Sequence, residues 1–360
     1  MVTGVKTVVV VPNWNGLDFL AECLNSLLVQ SACNFSITVV DNGSTDGSRE
    51  LVQNQYPSVK LIMRDKNYGF TGGTNPGIQD AIACGAEYVA LFNNDAVADK
   101  NWLQFLVETA DQDHHLGSVT SKILQVGAER KIDSTGDFYS IWGLPFPRGR
   151  DEIDQGQFDA DDQRLVFAGT GGATLFRTRM LCEIGLFDQD FFAYYEDIDL
   201  GFRAQLSGWK AAYEPRALVC HRVHATSSRI PNFTRYHAHK NAIYVYHKNM
   251  PTRLWWKYLP WFLTGMAVMA ANSLRRQQFI PLVKAYGVVL LKTPATIRKR
   301  WCIQRRSKVS AADIDAILYH ALPPGYHRIV YKLFDRKKLV HKPGSGSESP
   351  TYGSGYRERQ

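Results

Sequence analysis

The sequence predicts an α/β fold built on a mostly parallel sheet, followed by a basic, aromatic, α-helical C-terminal region. Apolar runs of strand length alternate with segments of helical period through the first hundred residues, the pattern of βαβ units. The ends of those runs are polar or turn-forming, as the ligand edge of such a sheet requires. Charge divides the chain in the same way: residues 1–230 carry 19 basic and 29 acidic side chains, residues 231–360 carry 23 and 5.

Taken in order, Thr7–Val11 is a continuous β-branched run, as a strand buried on both faces would be. Leu20, Cys23, Leu24, Leu27 and Leu28 follow at helical spacing. Ile37–Val40, Val59–Met63 and Tyr88–Phe92 read as further strands. Pro76 stands where a first helical turn could begin, and Ile78–Cys84 continues at helical period. Residues 125–165 show no clear period and read as loops with short strands. Val166–Phe176 is apolar but interrupted by Gly169, Gly171 and Gly172, which suggests backbone close to a ligand. Ala311–Val340 reads as a small helical element.

The chain has 360 residues, 45% hydrophobic and 21% charged, which excludes wholesale disorder. The expected organisation is an acidic α/β domain over 1–230, a basic helical region over 231–343 and a disordered Gly/Ser-rich tail over 344–360. The six cysteines form no C-x-x-C pair, so a reducing compartment is expected. Val8–Val11 is too short for a signal-peptide core.

Five motifs carry chemistry. Asp41-Asn42-Gly43-Ser44-Thr45-Asp46 ends a strand; its carboxylate can accept hydrogen bonds from a nucleotide, or the stretch is a capped turn. Asn67–Asn75 is a glycine-dense loop entering a helix, either a phosphate or ribose cradle or a flexible connector. It matches neither the P-loop nor the dinucleotide fingerprint, which disfavours a dehydrogenase. Asn93-Asn94-Asp95 offers oxygen ligands to a divalent cation, or is a polar strand end. Tyr195-Glu196-Asp197-Ile198-Asp199 places three carboxylates in four residues at a helix start near Asp197. Such crowding is costly unless function needs it, and the helix dipole favours an ionised base there; the alternative is a solvated acidic helix start. Asp199 and Arg203 fall at i,i+4, and Ile198, Phe202 and Trp209 near one helical stripe. His221, followed by His224, is either a metal ligand or a packed imidazole.

Together and in this order, these pieces resemble an inverting glycosyltransferase of family two. The matching stretches are V-V-V-P-N-W-N-G at 9–16, V-V-D-N-G-S-T-D-G-S at 39–48, N-Y-G-F-T-G-G-T-N-P-G-I at 67–78, F-N-N-D at 92–95 and Y-E-D-I-D-L-G-F-R at 195–203. The resemblance spans roughly Val5 to His224 and is nearest to bacterial rhamnosyltransferases and galactofuranosyltransferases of cell-envelope polysaccharide assembly. It implies a GT-A fold with a Rossmann-like sheet. It implies that Asp41 binds the nucleotide base, that Pro12, Asn13 and Asn42 line that pocket, and that Gly69, Gly72 and Asn75 pack on ribose and diphosphate. Asn94 would bond a ribose hydroxyl, and Asp95 with His221 would hold Mn²⁺ or Mg²⁺. Asp197 would be the catalytic base. Gly171, Gly172, Glu196, Asp199, Arg203 and Trp209 would shape or support the acceptor site. Asn93 and Asn94 stand where many relatives carry aspartate, which implies weaker cation binding.

The implied partners are a nucleoside-diphosphate sugar and a glycan or polyprenyl-linked acceptor. The rival is a non-catalytic sugar-nucleotide-binding protein. Residues 231–312 carry 15 Lys/Arg and no acid. No nucleic-acid motif is present, so nucleic acid is not an expected partner. Tyr258–Leu274 is an uncharged stretch at the lower limit of a membrane span. An interfacial segment fits it better, with Trp255, Trp256 and Trp261 in the headgroup layer and Lys257, Arg275, Arg276 and Lys284 on anionic lipid. The expected location is the cytoplasmic face of the cell membrane.

Overall fold

In a computed structural model that describes residues 6–127, 129–222 and 232–326, the first hundred residues form the expected strand–helix alternation. The elements are β1 (Thr7–Asn13), α1 (Leu17–Leu28), β2 (Phe35–Asp41), α2 (Ser48–Gln55), β3 (Lys60–Met63), α3 (Gly69–Ala83), β4 (Tyr88–Phe92), β5 (Ala96–Ala98) and α4 (Trp102–Gln112). Then follow β6 (Leu116–Gln125), β7 (Ile132–Ser134), β8 (Asp137–Tyr139), β9 (Pro145–Pro147), β10 (Leu165–Val166), β11 (Ala173–Arg177), α5 (Thr178–Ile184), α6 (Glu196–Leu206) and β12 (Lys210–His221). The chain continues with α7 (Phe233–Asn249), α8 (Thr252–Arg275), α9 (Phe279–Arg305) and α10 (Ala311–Ile317). His224 and the 344–360 tail lie outside the described residues, as does the C-terminal part of the 311–340 segment.

The main sheet runs β10-β12-β6-β11-β4-β1-β2-β3. Its β4-β1-β2-β3 half is parallel, and β11 enters antiparallel between β4 and β6. Strands β6 and β12 are again parallel to each other. One apolar cluster packs α1, α2 and α4 on one face of the sheet, and a second packs α3, α5 and α6 on the other. These two layers leave the carboxyl edge of the strands open to polar residues.

One expectation is corrected, and two further features bear on the C-terminal region. The glycine-dense stretch is not a loop: α3 begins at Gly69, so Pro76 stands inside the helix rather than in its first turn. Close packing explains this. A Cβ at Gly77 would lie 2.5 Å from Val10 and one at Gly73 2.8 Å from Asn42, so the glycines let α3 settle onto β1 and β2. Tertiary contact there outweighs poor helix propensity. Next, the change of composition at 230 is not a break in packing: one cluster runs from Tyr139 and Phe167 through Ile198 and Phe202 of α6 to Tyr246 and Phe262 of α7 and α8. Last, part of the basic charge turns inward. Lys240 and Lys248 are buried, and Lys257 is paired with Asp315 at 2.6 Å instead of lying free for lipid. Trp255 likewise packs on Tyr246 and His247 and donates its Nε1–H to His247 Nδ1 at 3.0 Å, away from the headgroup position expected for it.

Candidate active site

Asn13 stands at the centre of a polar network at the ends of β1, β2 and β4. Its Nδ2 donates to Asp41 Oδ2 and Ser44 Oγ, each at 3.2 Å, and its Oδ1 accepts from Asn94 Nδ2 at 2.7 Å. Asp41 is almost wholly buried, accepts from the Ser44 amide at 3.0 Å and pairs with Arg49 Nε at 2.6 Å. Asn42 ties β2 to α3, donating to Asn67 Oδ1 at 3.1 Å and to the Gly69 carbonyl at 2.9 Å. Pro12 lies opposite Val40 in the same register. The structure therefore brings Pro12, Asn13, Asp41, Asn42 and Asn94 together. Gly69, at φ +74°, lies beneath Phe192, whose carbonyl accepts from the Thr71 amide at 3.2 Å. Gly72 and Asn75 make contacts within the protein. Gly72 packs on Tyr68 within α3. Asn75 is buried, and its amide bonds the Phe187 backbone through Nδ2 at 2.8 Å and Oδ1 at 3.2 Å.

The next part of the edge joins β4, β12 and β7. His221 Nε2 lies 3.1 Å from Asp95 Oδ1, and its Nδ1 lies 2.9 Å from Asp133 Oδ2. Burial alone would lower the imidazole pKa, but hydrogen bonds to Asp133 and Asp95 outweigh it and push the ring up to about 9. A carboxylate oxygen and an imidazole nitrogen suit a divalent cation. Among the described residues no group of three or more His, Cys, Asp or Glu side chains converges as a closed cation cage. A cation on Asp95 and His221 would thus draw its remaining ligands from diphosphate and water.

Asp197 opens α6 a short way along the same edge. Its Oδ1 accepts from the Ile198 amide at 2.7 Å and its Oδ2 from the Gly171 amide at 3.3 Å. The adjoining Gly172 carbonyl accepts from the Asn93 amide at 2.9 Å, so two successive glycines join Asp197 to the Asp95 strand end. Burial raises the Asp197 carboxyl, against the Ile198 and Gly171 amides and a hydrogen bond from Asp137. Asp137 and Glu196 are buried and are pushed up first by desolvation, then by the charge of Asp197.

The segment before Asp197 is strained. Phe192, Tyr194 and Tyr195 adopt φ of 67°, 67° and 70°, a region bulky residues avoid at a cost of about 1–3 kcal/mol each. Asn241 of α7 holds it, with Nδ2 directed at the carbonyls of Phe191, Ala193 and Tyr194 at 3.1, 2.8 and 2.7 Å. Asp199 and Arg203 are structural here. Asp199 is fully buried against Arg203 at 3.0 Å and Lys248 at 2.6 Å, and Arg203 donates to the carbonyls of Ile184, Gly185 and Leu186. Trp209 lies beyond the end of α6 at the start of β12, the opposite end of that strand from His221, and donates to Glu183 at 3.1 Å. The sequence reading missed Asp133, Asp137 and Asn241; the first two lie in the aperiodic 125–165 stretch, where no motif marks them.

The geometry can be set beside known proteins. The family model "Glycosyl transferase family 2" matches residues 8–181, and "Glycosyl transferase family group 2" matches residues 157–293. An N-acetylglucosaminyl-diphospho-decaprenol L-rhamnosyltransferase of Mycobacterium tuberculosis is 26% identical over 280 residues, covering 72% of this chain and 91% of the relative. A poly-beta-1,6-N-acetyl-D-glucosamine synthase of Staphylococcus aureus is 24% identical over 209 residues, 57% of this chain and 47% of its own length. In fold, the chain is similar to GalNAc-T7 solved with UDP, GalNAc and Mn²⁺, with a TM-score of 0.57 and 15% identity over 90% of this chain and 59% of that one. It is also similar to the mannosyltransferase PcManGT of Pyrobaculum calidifontis, solved with GDP-Man and Mn²⁺, with a TM-score of 0.51 and 16% identity over 92% of this chain and 88% of that one. A polar strand edge, an acid–histidine pair and a capped helix-start carboxylate meet in a chain that two overlapping glycosyl transferase models follow from residue 8 to residue 293: it is a glycosyltransferase, related to family two.

Proposed function

We propose that the protein transfers a sugar, with rhamnose the first candidate, from a nucleoside-diphosphate donor to a lipid-linked cell-envelope glycan, with inversion at the anomeric carbon. The observation that carries this reading is the join between Asp197 and the Asp95–His221 pair through Gly171 and Gly172. It sets a base and a diphosphate-holding pair on one edge, as a single in-line displacement needs. The Asn13–Asp41–Asn94 network binds the nucleoside. Asp197 takes the proton of the acceptor hydroxyl as that oxygen attacks, and its two amide donors keep the carboxylate aimed. Mn²⁺ or Mg²⁺ on Asp95 and His221 would supply neutralising charge to the departing diphosphate. The rhamnosyltransferase relative supports the sugar and the lipid-linked acceptor; a galactofuranosyl or other hexosyl nucleotide is the alternative donor, and assay of a donor panel separates them. Turnover with none of these donors, despite nucleotide binding, would favour a non-catalytic role.

Asp95→Ala is expected to lower the affinity for UDP in Mn²⁺ at least tenfold and to leave the affinity in EDTA unchanged, as read by calorimetry. Wild-type affinity that is equal in Mn²⁺ and EDTA would refute cation-dependent binding.

The membrane reading rests on α8 and α9. Tyr258, Phe262 and Met266 of α8 pack on the protein, so α8 presents one face outward, with Trp256 and Leu263 exposed. Helix α9, rather than the Tyr258–Leu274 stretch, is long and apolar enough to cross a membrane, and it exposes Ile280, Val283, Leu290 and Leu291. Lying on an anionic cytoplasmic leaflet, these faces would place the site beside a lipid-linked acceptor. Co-sedimentation with phosphatidylglycerol vesicles is expected to fall at least tenfold in Leu290→Glu/Leu291→Glu, since each leucine contributes about 1.5–3 kcal/mol when buried. High salt should release the wild type only in part. Unchanged sedimentation of the double variant would remove α9 from the contact.

A further inference from the structure

His221 is gripped from both edges of its ring, and only one of the two grips belongs to the expected cation pair. Asp95 faces Nε2. On the other edge, Asp133 Oδ2 stands 2.9 Å from Nδ1. Asp133 is itself buried and held: Arg150 reaches its Oδ1 at 2.8 Å and donates from Nε to its backbone carbonyl at 3.1 Å. The strand that carries it, β7, is only three residues long, but it is registered against β6, the neighbour of β12. The sheet thus brings residue 133 beside residue 221 across 88 positions of sequence.

We propose that Asp133 is the positioning residue of the cation site: its Oδ2 accepts a hydrogen bond from the Nδ1–H of His221, fixes the ring orientation and leaves the Nε2 lone pair directed at the cation, with Arg150 holding Asp133 in place. A metal-bound histidine needs its second nitrogen committed as a donor, and a carboxylate partner both selects that tautomer and makes the ligating nitrogen more basic. Asp133 cannot be a ligand to the same cation, because the imidazole stands between it and Nε2. The inference rests on the cation-dependent reading of the site.

The test is Mn²⁺ binding, followed by electron paramagnetic resonance in the presence of UDP, on full-length protein. Asp133→Ala is expected to weaken Mn²⁺ binding about 10–100-fold, and Asp133→Asn, which keeps an acceptor without the charge, by less. Arg150→Gln changes a half-exposed side chain and covers the case in which an Asp133 variant does not fold; it should weaken Mn²⁺ binding by a smaller factor. Nitrogen NMR of His221 with Mg²⁺ should show the Nδ1–H tautomer in the wild type and its loss in Asp133→Ala. Wild-type Mn²⁺ affinity in folded Asp133→Ala, or in Arg150→Gln where the alanine variant is unfolded, would overturn the role of Asp133 alone. A wild type that takes up no Mn²⁺ with UDP would overturn the cation reading and this inference with it.

Discussion

Asp197→Asn is expected to reduce single-turnover transfer by about 10²–10⁴-fold while leaving donor affinity unchanged, the usual cost of removing a general base. The amide keeps the shape and can still accept from the Ile198 and Gly171 amides, but it cannot take the acceptor's proton. The pH dependence has a definite sign. Burial raises the Asp197 carboxyl above its ordinary value. The rate must rise with pH as that group ionises, so the acid limb of the profile should lie above the range of a free carboxylate. Asp137, Glu196 and Tyr195 face this group, and burial holds all three toward their neutral forms as well. Glu196→Gln should cost much less than Asp197→Asn. Glu196 Oε2 is buried without a hydrogen-bond partner, and Gly171 caps Asp197 rather than Glu196. A dead Glu196→Gln beside a near-normal Asp197→Asn would move the base by one residue. Normal transfer in both would refute the displacement mechanism.

The parallel half of the sheet was legible because its strands are continuous apolar runs, and β4 begins and ends where the run does. Strand β1 continues past its run to Asn13: pairing with β4 stops at Val10, so the missing N–H of Pro12 costs no bond on that side. The start of α3 was not legible, because glycine-rich sequence reads as loop unless one knows that a sheet lies beneath it. Nor were Asp133 and Asp137. Each sits on a strand of three residues, too short to show a period, and each gains its contact with the site from a residue at least 60 positions away. The motif residues Asp41, Asp95, Asp197 and His221 stood out because they end or follow strands or open a helix, and the roles expected of them came from the family resemblance. The outward apolar faces of α8 and α9 were not legible for the opposite reason. Hydropathy counts apolar residues but not which face is already packed, and α8 spends Tyr258, Phe262 and Met266 on the protein.

Lys248→Met should destabilise the fold by about 3 kcal/mol, because removing one partner of a buried ion pair leaves the other charge uncompensated. Lys248 is 3% exposed and lies 2.7 Å from Asp188 and 2.6 Å from Asp199, which has no exposed surface. Arg203 and Asn249 still reach Asp199, and Lys299 still reaches Asp188, which keeps the loss toward the lower end of the range. The control is Lys292→Met: Lys292 is half-exposed and pairs with Asp190 at 3.1 Å, a contact worth less than about 1 kcal/mol. Urea unfolding should show a lower midpoint for Lys248→Met at unchanged slope, and a near-wild-type midpoint for Lys292→Met. This explains why an acidic body carries a basic C-terminal third. Lys240, Lys248, Lys292 and Lys299 meet Asp188, Asp190, Asp199 or backbone carbonyls on the segment that leads into the strained turn before Asp197. The C-terminal helices therefore hold the turn before Asp197 in place as well as presenting an apolar face. Truncation after residue 230 should yield an insoluble or unfolded product instead of a free catalytic domain. A soluble, cooperatively folded 1–230 fragment, or Lys248→Met with wild-type stability, would show that the buried lysines are dispensable.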